Sequence, residues 1–250
     1  MNHPNSDTLN FDPEELCQRI AALTRSMMDF WEDGGWAPGE AALLLDKSML
    51  HWQSSLAESL TRWMNATSEG DLILAWANLG ALIEGQLKLF LCVYYHDYTN
   101  DLEGIRRRGK RIDPDGSQLE ELRQFFVKRI WDVGTNWNPY VQLVQQRRNA
   151  VHAFQHRELG THTEWMDALR LHLSFIRDLN GSLPYPDEIS FCGCETKGRH
   201  AGSSHNHDGH PGRYPGSHPG CGEVSKKDFS LQPAQPQLKI STDNRRENNL

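Results

Sequence analysis

The stretch QQRRNAVHAF, residues 145–154, sets two arginines, an asparagine and a histidine among apolar neighbours. If it is helical, Arg148 and His152, four positions apart, share nearly one face, whereas Arg147 is rotated by about 140° from His152 and reaches it only by curling its long side chain back. An imidazole beside a guanidinium is a minimal kit for phosphodiester chemistry. The histidine moves a proton on the 2′-hydroxyl or the leaving oxygen, and the arginine balances charge on the phosphoryl oxygens. RNA brings its own 2′-oxygen nucleophile, so neither a metal nor an enzymatic nucleophile is required. A solvated arginine pair beside a core histidine would leave the same short pattern, and spacing alone does not separate the two.

Two further features bear on phosphate handling. The run IRRRGKRI (105–112) supplies Arg106, Arg107, Arg108, Lys110 and Arg111 with no acid among them. Such a loop could track an RNA backbone, with Tyr94, Tyr95 and Tyr98 near in sequence to stack on bases. It could equally pair with the acidic N-terminal segment or with Asp113 and Asp115. Glu84 is a carboxylate on an otherwise apolar helix and needs a cationic partner, for which Arg147 or Arg148 is suited. It would either orient the catalytic arginine or histidine, or serve as a structural ion pair.

Helical periodicity runs through almost everything that must position these groups, to about residue 180. Asp12-Pro13-Glu14-Glu15 is a helix start, followed by Leu16, Ile20, Leu23, Met27 and Phe30 at helical spacing. A second helix is predicted over about 40–65, on a stripe of Leu45, Met49, Trp52, Leu56, Leu60 and Trp63. A third, about 71–97, is apolar on most of its circumference and should be the centre of a bundle. A basic connection (99–117) precedes a fourth helix near 118–132. Asn138-Pro139 opens a fifth that contains the arginines and His152. A sixth, about 164–180, stops at Asn180-Gly181. No β-alternation of useful length occurs. The predicted fold is all-α, a bundle of about five to six helices.

Residues 1–40 hold nearly all of an acidic excess, with Asp7, Asp12, Glu14, Glu15, Asp29, Glu32, Asp33 and Glu40 against Arg19 and Arg25; residues 1–38 are predicted to form an acidic helical arm and residues 39–189 the bundle. From 190 to 250 the chain turns rich in Gly, His, Ser and Pro and is predicted to be a disordered tail. Its His200, His205, His207, His210 and His218, with Cys192, Cys194 and Cys221, lack the spacing of a folded zinc site. His156, His162 and His172 read as surface or cap histidines. No metal site and no cofactor is predicted. A net charge of −7 and five irregularly spaced cysteines suit a reduced, cytoplasmic protein without a disulfide framework. The apolar stretch Leu72–Tyr95 is interrupted by Asn78, Glu84, Gln86 and Lys88, as in a core helix rather than a membrane span. No phosphate-loop, dinucleotide, zincin or nucleophile-elbow motif is present.

RRNAVHAF, late in an all-α chain, resembles the Rx₄₋₆H signature of the HEPN superfamily (higher eukaryotes and prokaryotes nucleotide-binding domain). The earlier NLGALIEGQLKLFL looks like that family's second long helix. The resemblance spans roughly 40–180 and is strongest over 147–154. It implies a dimeric helical bundle and, for many members, a metal-independent endoribonuclease whose two Arg-His motifs meet across the interface. Carried over, Arg147 and His152 match the motif, and Glu84 matches the helix acid less closely. The family's polar slot after the arginine holds Arg148 here, with Asn149 one place later. The motif arginine is therefore Arg147 by family spacing or Arg148 by helical geometry, with Arg148 and Asn149 otherwise positioning phosphate. The resulting expectation is an endoribonuclease acting on single-stranded RNA in a toxin–antitoxin or antiphage setting, with an antitoxin or neighbouring-gene regulator as a partner. The alternative is a non-catalytic module that binds nucleotide or RNA, or dimerises.

Overall fold

The computed structural model describes residues 11–32, 37, 39–152, 154 and 156–186. The predicted tail, with its histidines and three cysteines, lies outside them. The described fold is all-α apart from one two-residue hairpin.

Helix α1 (Pro13–Glu32) begins where Asp12 Oδ1 accepts the Glu15 N–H at 2.8 Å. Leu16, Ile20, Met27 and Met28 are fully buried, and each such side chain stabilises the fold by about 2 kcal/mol over leaving it exposed. Asp12, Glu14, Asp29 and Glu32 stay on the outer side. The acidic segment is thus amphipathic, and α1 contributes its apolar face to the common core.

The single helix predicted over 40–65 is instead α2 (Glu40–Asp46), α3 (Leu50–Glu58) and a 3-10 turn (Ser59–Trp63). Ser48 causes the break. Its hydroxyl donates to the Leu44 carbonyl at 2.6 Å, a local bond that competes with helix continuation, and Met49 leaves the helical region at φ −92°, ψ 61°. The interruption shifts the register, so Leu44, Leu50 and Ala57 are buried while Met49 and Trp52 of the predicted stripe are exposed.

Helix α4 (Glu69–Val93) is the central element, opened by Ser68, whose hydroxyl accepts the Asp71 N–H at 3.1 Å. Tyr94 ends it, and α5 (Tyr95–Asn100) follows as a separate short helix. Within the predicted basic connection, β1 (Arg106–Arg107) and β2 (Lys110–Arg111) form a hairpin, in antiparallel register Arg106↔Arg111 and Arg107↔Lys110. Its two-residue turn holds Arg108 at φ 53° and Gly109 at φ 79°, the left-handed pair that fits the twist of a tight hairpin. Helix α6 (Leu119–Arg129) carries a reciprocal capping box between Gln118 and Glu121.

Helix α7 (Trp137–Arg148) starts two residues earlier than Asn138-Pro139 predicts, with Asn136 at its N-cap. Pro139 sits within the first turn, where its missing N–H costs nothing, and the Asn138 carboxamide oxygen accepts from Arg123. Helix α8 (His162–Gly181) is opened by a Thr161–Glu164 capping box. Helix α4 packs against α3, α6, α7 and α8, and α1 against α3 and α8.

His172, read as a surface or cap residue, is fully buried on α8 instead, with its ring beside Tyr140 and Phe175. Burial lowers its pKa to about 3, which keeps it neutral. Cys17 and Cys92 are free and buried, and burial pushes their thiols up to about 11 and about 12. Both are unreactive packing groups. No described helix is long and apolar enough to cross a membrane.

Candidate functional site

The α-helical part of the Arg-His stretch ends at Arg148, and a 3-10 turn (Asn149–His152) continues it. At three residues per turn, positions four apart diverge by roughly 120°, not the roughly 40° of an α-helix. The predicted common face of Arg148 and His152 is therefore lost. His152 stands exposed on the turn, and Asn149, half-buried, is the C-cap of α7.

The two adjacent arginines enter separate environments. Arg147 is buried, its side chain only 7% exposed, and Nη2 meets Glu164 Oε1 at 2.8 Å. Its guanidinium carbon lies 4.8 Å from the centre of the Trp76 ring, within cation–π range. Trp76 is held in turn by its indole N–H donating to the Leu159 carbonyl at 2.9 Å. Nη1 has no hydrogen-bond partner among the described residues. It lies against Gly160, where an added Cβ would approach it to 2.3 Å and where φ is +70°. Only glycine closes this corner, both for backbone conformation and for space.

Glu164 does two things at once. Oε1 takes the arginine, and Oε2 accepts the Thr161 N–H at 2.7 Å to complete the start of α8. The Arg147 bond, with the Thr161 backbone N–H behind it, holds its carboxyl below the usual range.

Arg148 turns the other way. Its Nη1 donates to Glu84 Oε2 at 2.8 Å and to the Gly80 carbonyl at 3.3 Å, and its methylenes press on α4 where Gly80 lacks a side chain. Glu84 also binds Lys88 Nζ at 2.9 Å. Burial acts to raise the Glu84 carboxyl, but the bonds from Lys88 and Arg148 outweigh it and the pKa is lowered. The partner predicted for Glu84 is thus Arg148, and Arg147 belongs to Glu164.

The hairpin bases are all exposed. Arg107 pairs with Glu121 at 2.7 Å, Arg106 donates to the Gly109 carbonyl at 3.5 Å, and Arg111 to the Asp101 carbonyl at 3.4 Å. Arg108 and Lys110 form no ion pair among the described residues. Glu120, beside Glu121, accepts from Arg123 at 2.7 Å and from Gln124 at 2.8 Å, and the Arg123 bond holds its carboxyl well below the usual range, at about 2. The tyrosines expected to stack on bases are otherwise engaged. Tyr94 and Tyr98 are buried, and Tyr95 donates to Asp113 at 2.9 Å.

Beside this corner is an open cleft of about 820 Å³ whose wall includes Thr67, Ser68, His156, Leu159, Gly160 and His162. Leu159 and Gly160 are shared by the cleft and by the Trp76–Arg147 pair. Sequence reasoning missed Trp76, Gly160 and Glu164. Only Glu164 had a local signal, the T-x-x-E capping box at Thr161. Among the described residues no group of three or more His, Cys, Asp or Glu side chains is arranged to hold a metal.

Comparison with protein-family models, curated proteins and solved structures gave no match to this chain.

Proposed function

We propose that this chain is a metal-independent endoribonuclease cutting single-stranded RNA by transesterification as a homodimer, of the kind used in toxin–antitoxin or antiphage systems. Arg147 carries this reading. It is a buried guanidinium with one carboxylate partner and a donor nitrogen left unsatisfied beside a cleft. A guanidinium offers five N–H donors in a fixed fork, and a buried donor without an acceptor is costly. A phosphoryl oxygen supplies the missing acceptor and the negative charge together.

In the reaction, His152 takes the proton of the RNA 2′-hydroxyl as the 2′-oxygen attacks phosphorus. The bond to the 5′-oxygen breaks, and that oxygen receives a proton from an imidazolium. The products are a 2′,3′-cyclic phosphate and a 5′-hydroxyl, with no net consumption of protons. The exposed position of His152 suits this proton traffic. Val151 and Phe154, 50% and 99% exposed, flank it with apolar surface that a second copy would cover, bringing a second imidazole to the site. Arg106, Arg108 and Lys110 supply positive charge for the RNA backbone.

The test is degradation of labelled RNA in excess EDTA by wild type, His152→Ala and Arg147→Ala, with folding checked by circular dichroism. The expected result is cleavage by wild type and a loss of about 10²-fold or more in each variant. Intact RNA with wild type, or equal cutting by His152→Ala, contradicts the proposal.

One observation favours a second reading. Both arginines already meet carboxylates from other helices, which suits a non-catalytic module binding RNA or nucleotide. That reading expects salt-dependent RNA binding by wild type without cleavage.

A further inference from the structure

At the opposite end of α7 and α8 from Arg147 is a second cleft of about 430 Å³, closed by the C-terminal turn of α4, the α6–α7 connection and the end of α8. Its walls include Tyr94, Trp131, Trp137 and Phe175, together with Asp132 and Asp178, and among the described residues no lysine, arginine or histidine lines it. Adjacent rings stand nearly perpendicular. Trp131 and Phe175 have centroids 6.4 Å apart at 75°, and Trp137 and Phe175 5.4 Å apart at 72°. Trp131 and Trp137 therefore meet the buried Phe175 edge to face, and the two half-buried tryptophans are the rings left partly open at the cleft. Trp137 is fixed in its pose by its indole N–H donating to Asp178 Oδ2 at 2.7 Å, and Tyr94 by donating to the Ser182 carbonyl at 2.6 Å.

Aromatic faces carry negative electrostatic potential, and carboxylates at the rim add full charge. A space walled by both, without a base to neutralise them, attracts an organic cation and disfavours anions and RNA. The volume falls in the lower part of the range for whole small ligands. A compact cation with a dispersed charge matches this best, because its methyl groups bury against the rings while the charge needs no directional hydrogen bond. We propose that this cleft is a binding site for a small quaternary ammonium compound, independent of the Arg147 site and of the activity proposed there.

The test titrates the full chain with choline and, separately, with 3,3-dimethylbutan-1-ol, its uncharged isostere, following heat and the fluorescence of Trp131 and Trp137. The expected result is saturable choline binding, at least about tenfold weaker binding of the neutral isostere, and a comparable loss in Asp132→Asn/Asp178→Asn. In that variant the new carboxamide oxygen at position 178 still accepts from Trp137, so the cage persists while the charge is removed. Equal affinity for the two ligands, an unchanged affinity in the double variant, or no saturable choline binding by the folded wild type overturns the proposal. A trimethyllysine peptide binding at least about tenfold more tightly than choline would assign the headgroup to a protein partner and overturn the small-ligand claim.

Discussion

Arg106–Arg111 and Arg147–Arg148 are both dense basic stretches of the described fold, and their surroundings treat them oppositely. The hairpin leaves its guanidinium groups in water, where one ion pair with Glu121 is a surface contact of little energetic weight. The end of α7 removes Arg147 from water and must then supply Glu164, the Trp76 face and a glycine corner to hold it. The same residue type is thus dispensable to the fold in one place and bound into it in the other. Where the charge is buried, an unsatisfied donor becomes informative. On the hairpin, a free arginine says only that the surface is basic.

Four perturbations test this contrast. Both regions contain a left-handed glycine, Gly109 with nothing within 4 Å of its added Cβ and Gly160 with Arg147 Nη1 at 2.3 Å. Alanine at 109 should cost about 1 kcal/mol from backbone conformation alone, whereas alanine at 160 adds steric overlap and should cost about 3 kcal/mol. Urea denaturation of the two variants measures the difference, and equal losses would dissolve the contrast.

Next in size is the pair of carboxylate substitutions. Glu164→Gln keeps the helix cap but leaves Arg147 without its counter-charge. The loss should be about 2 kcal/mol, below the range for a fully buried pair because Glu164 is 48% exposed. Glu121→Gln, its counterpart at the hairpin, should cost less than about 1 kcal/mol. The same denaturation curves report both.

Acid probes burial without any partner. His172 has a folded-state pKa of about 3, below its ordinary value, so the unfolded chain binds the proton first. Its contribution to stability is intact above the unfolded value of about 6.5 and falls as pH drops towards the folded value, with a slope approaching about 1.4 kcal/mol per unit. His172→Phe should flatten the curve between about pH 6.5 and 5. The Arg147–Glu164 pair should add its own loss only lower, as the depressed Glu164 carboxyl takes up its proton. The smallest effect belongs to the hairpin. Arg108→Gln/Lys110→Gln should leave stability within about 0.5 kcal/mol of wild type, while the slope of log affinity for single-stranded RNA against log salt falls by about 0.7 per lost contact.

The sequence made the helices legible because their apolar periodicity is strong and their caps are local. Asp12-Pro13 marked the start of α1, and Asn180-Gly181 marked the end of α8. What it hid was set by single bonds or by distant packing. Ser48 broke a helix whose apolar stripe otherwise continued, and the change from α to 3-10 geometry after Arg148 turned His152 off the shared face. Glu84 advertised its need for a cation, because a lone carboxylate on an apolar helix has few alternatives. Which arginine would answer depended on Gly80 admitting the Arg148 methylenes. Trp76 and Gly160 could not be read as site residues, since one looked like core and the other like a loop breaker until Arg147 was seen between them.

Arg147 and His152 are proposed to handle a phosphodiester through the RNA's own 2′-oxygen. The most direct measurement incubates wild-type protein with an RNA oligonucleotide and its all-DNA counterpart in EDTA, then determines the product termini by mass spectrometry. The expected result is cleavage of RNA alone, leaving 2′,3′-cyclic phosphate and 5′-hydroxyl ends, and no cleavage by His152→Ala. Intact RNA, cut DNA, or products ending in a 3′-hydroxyl would contradict it.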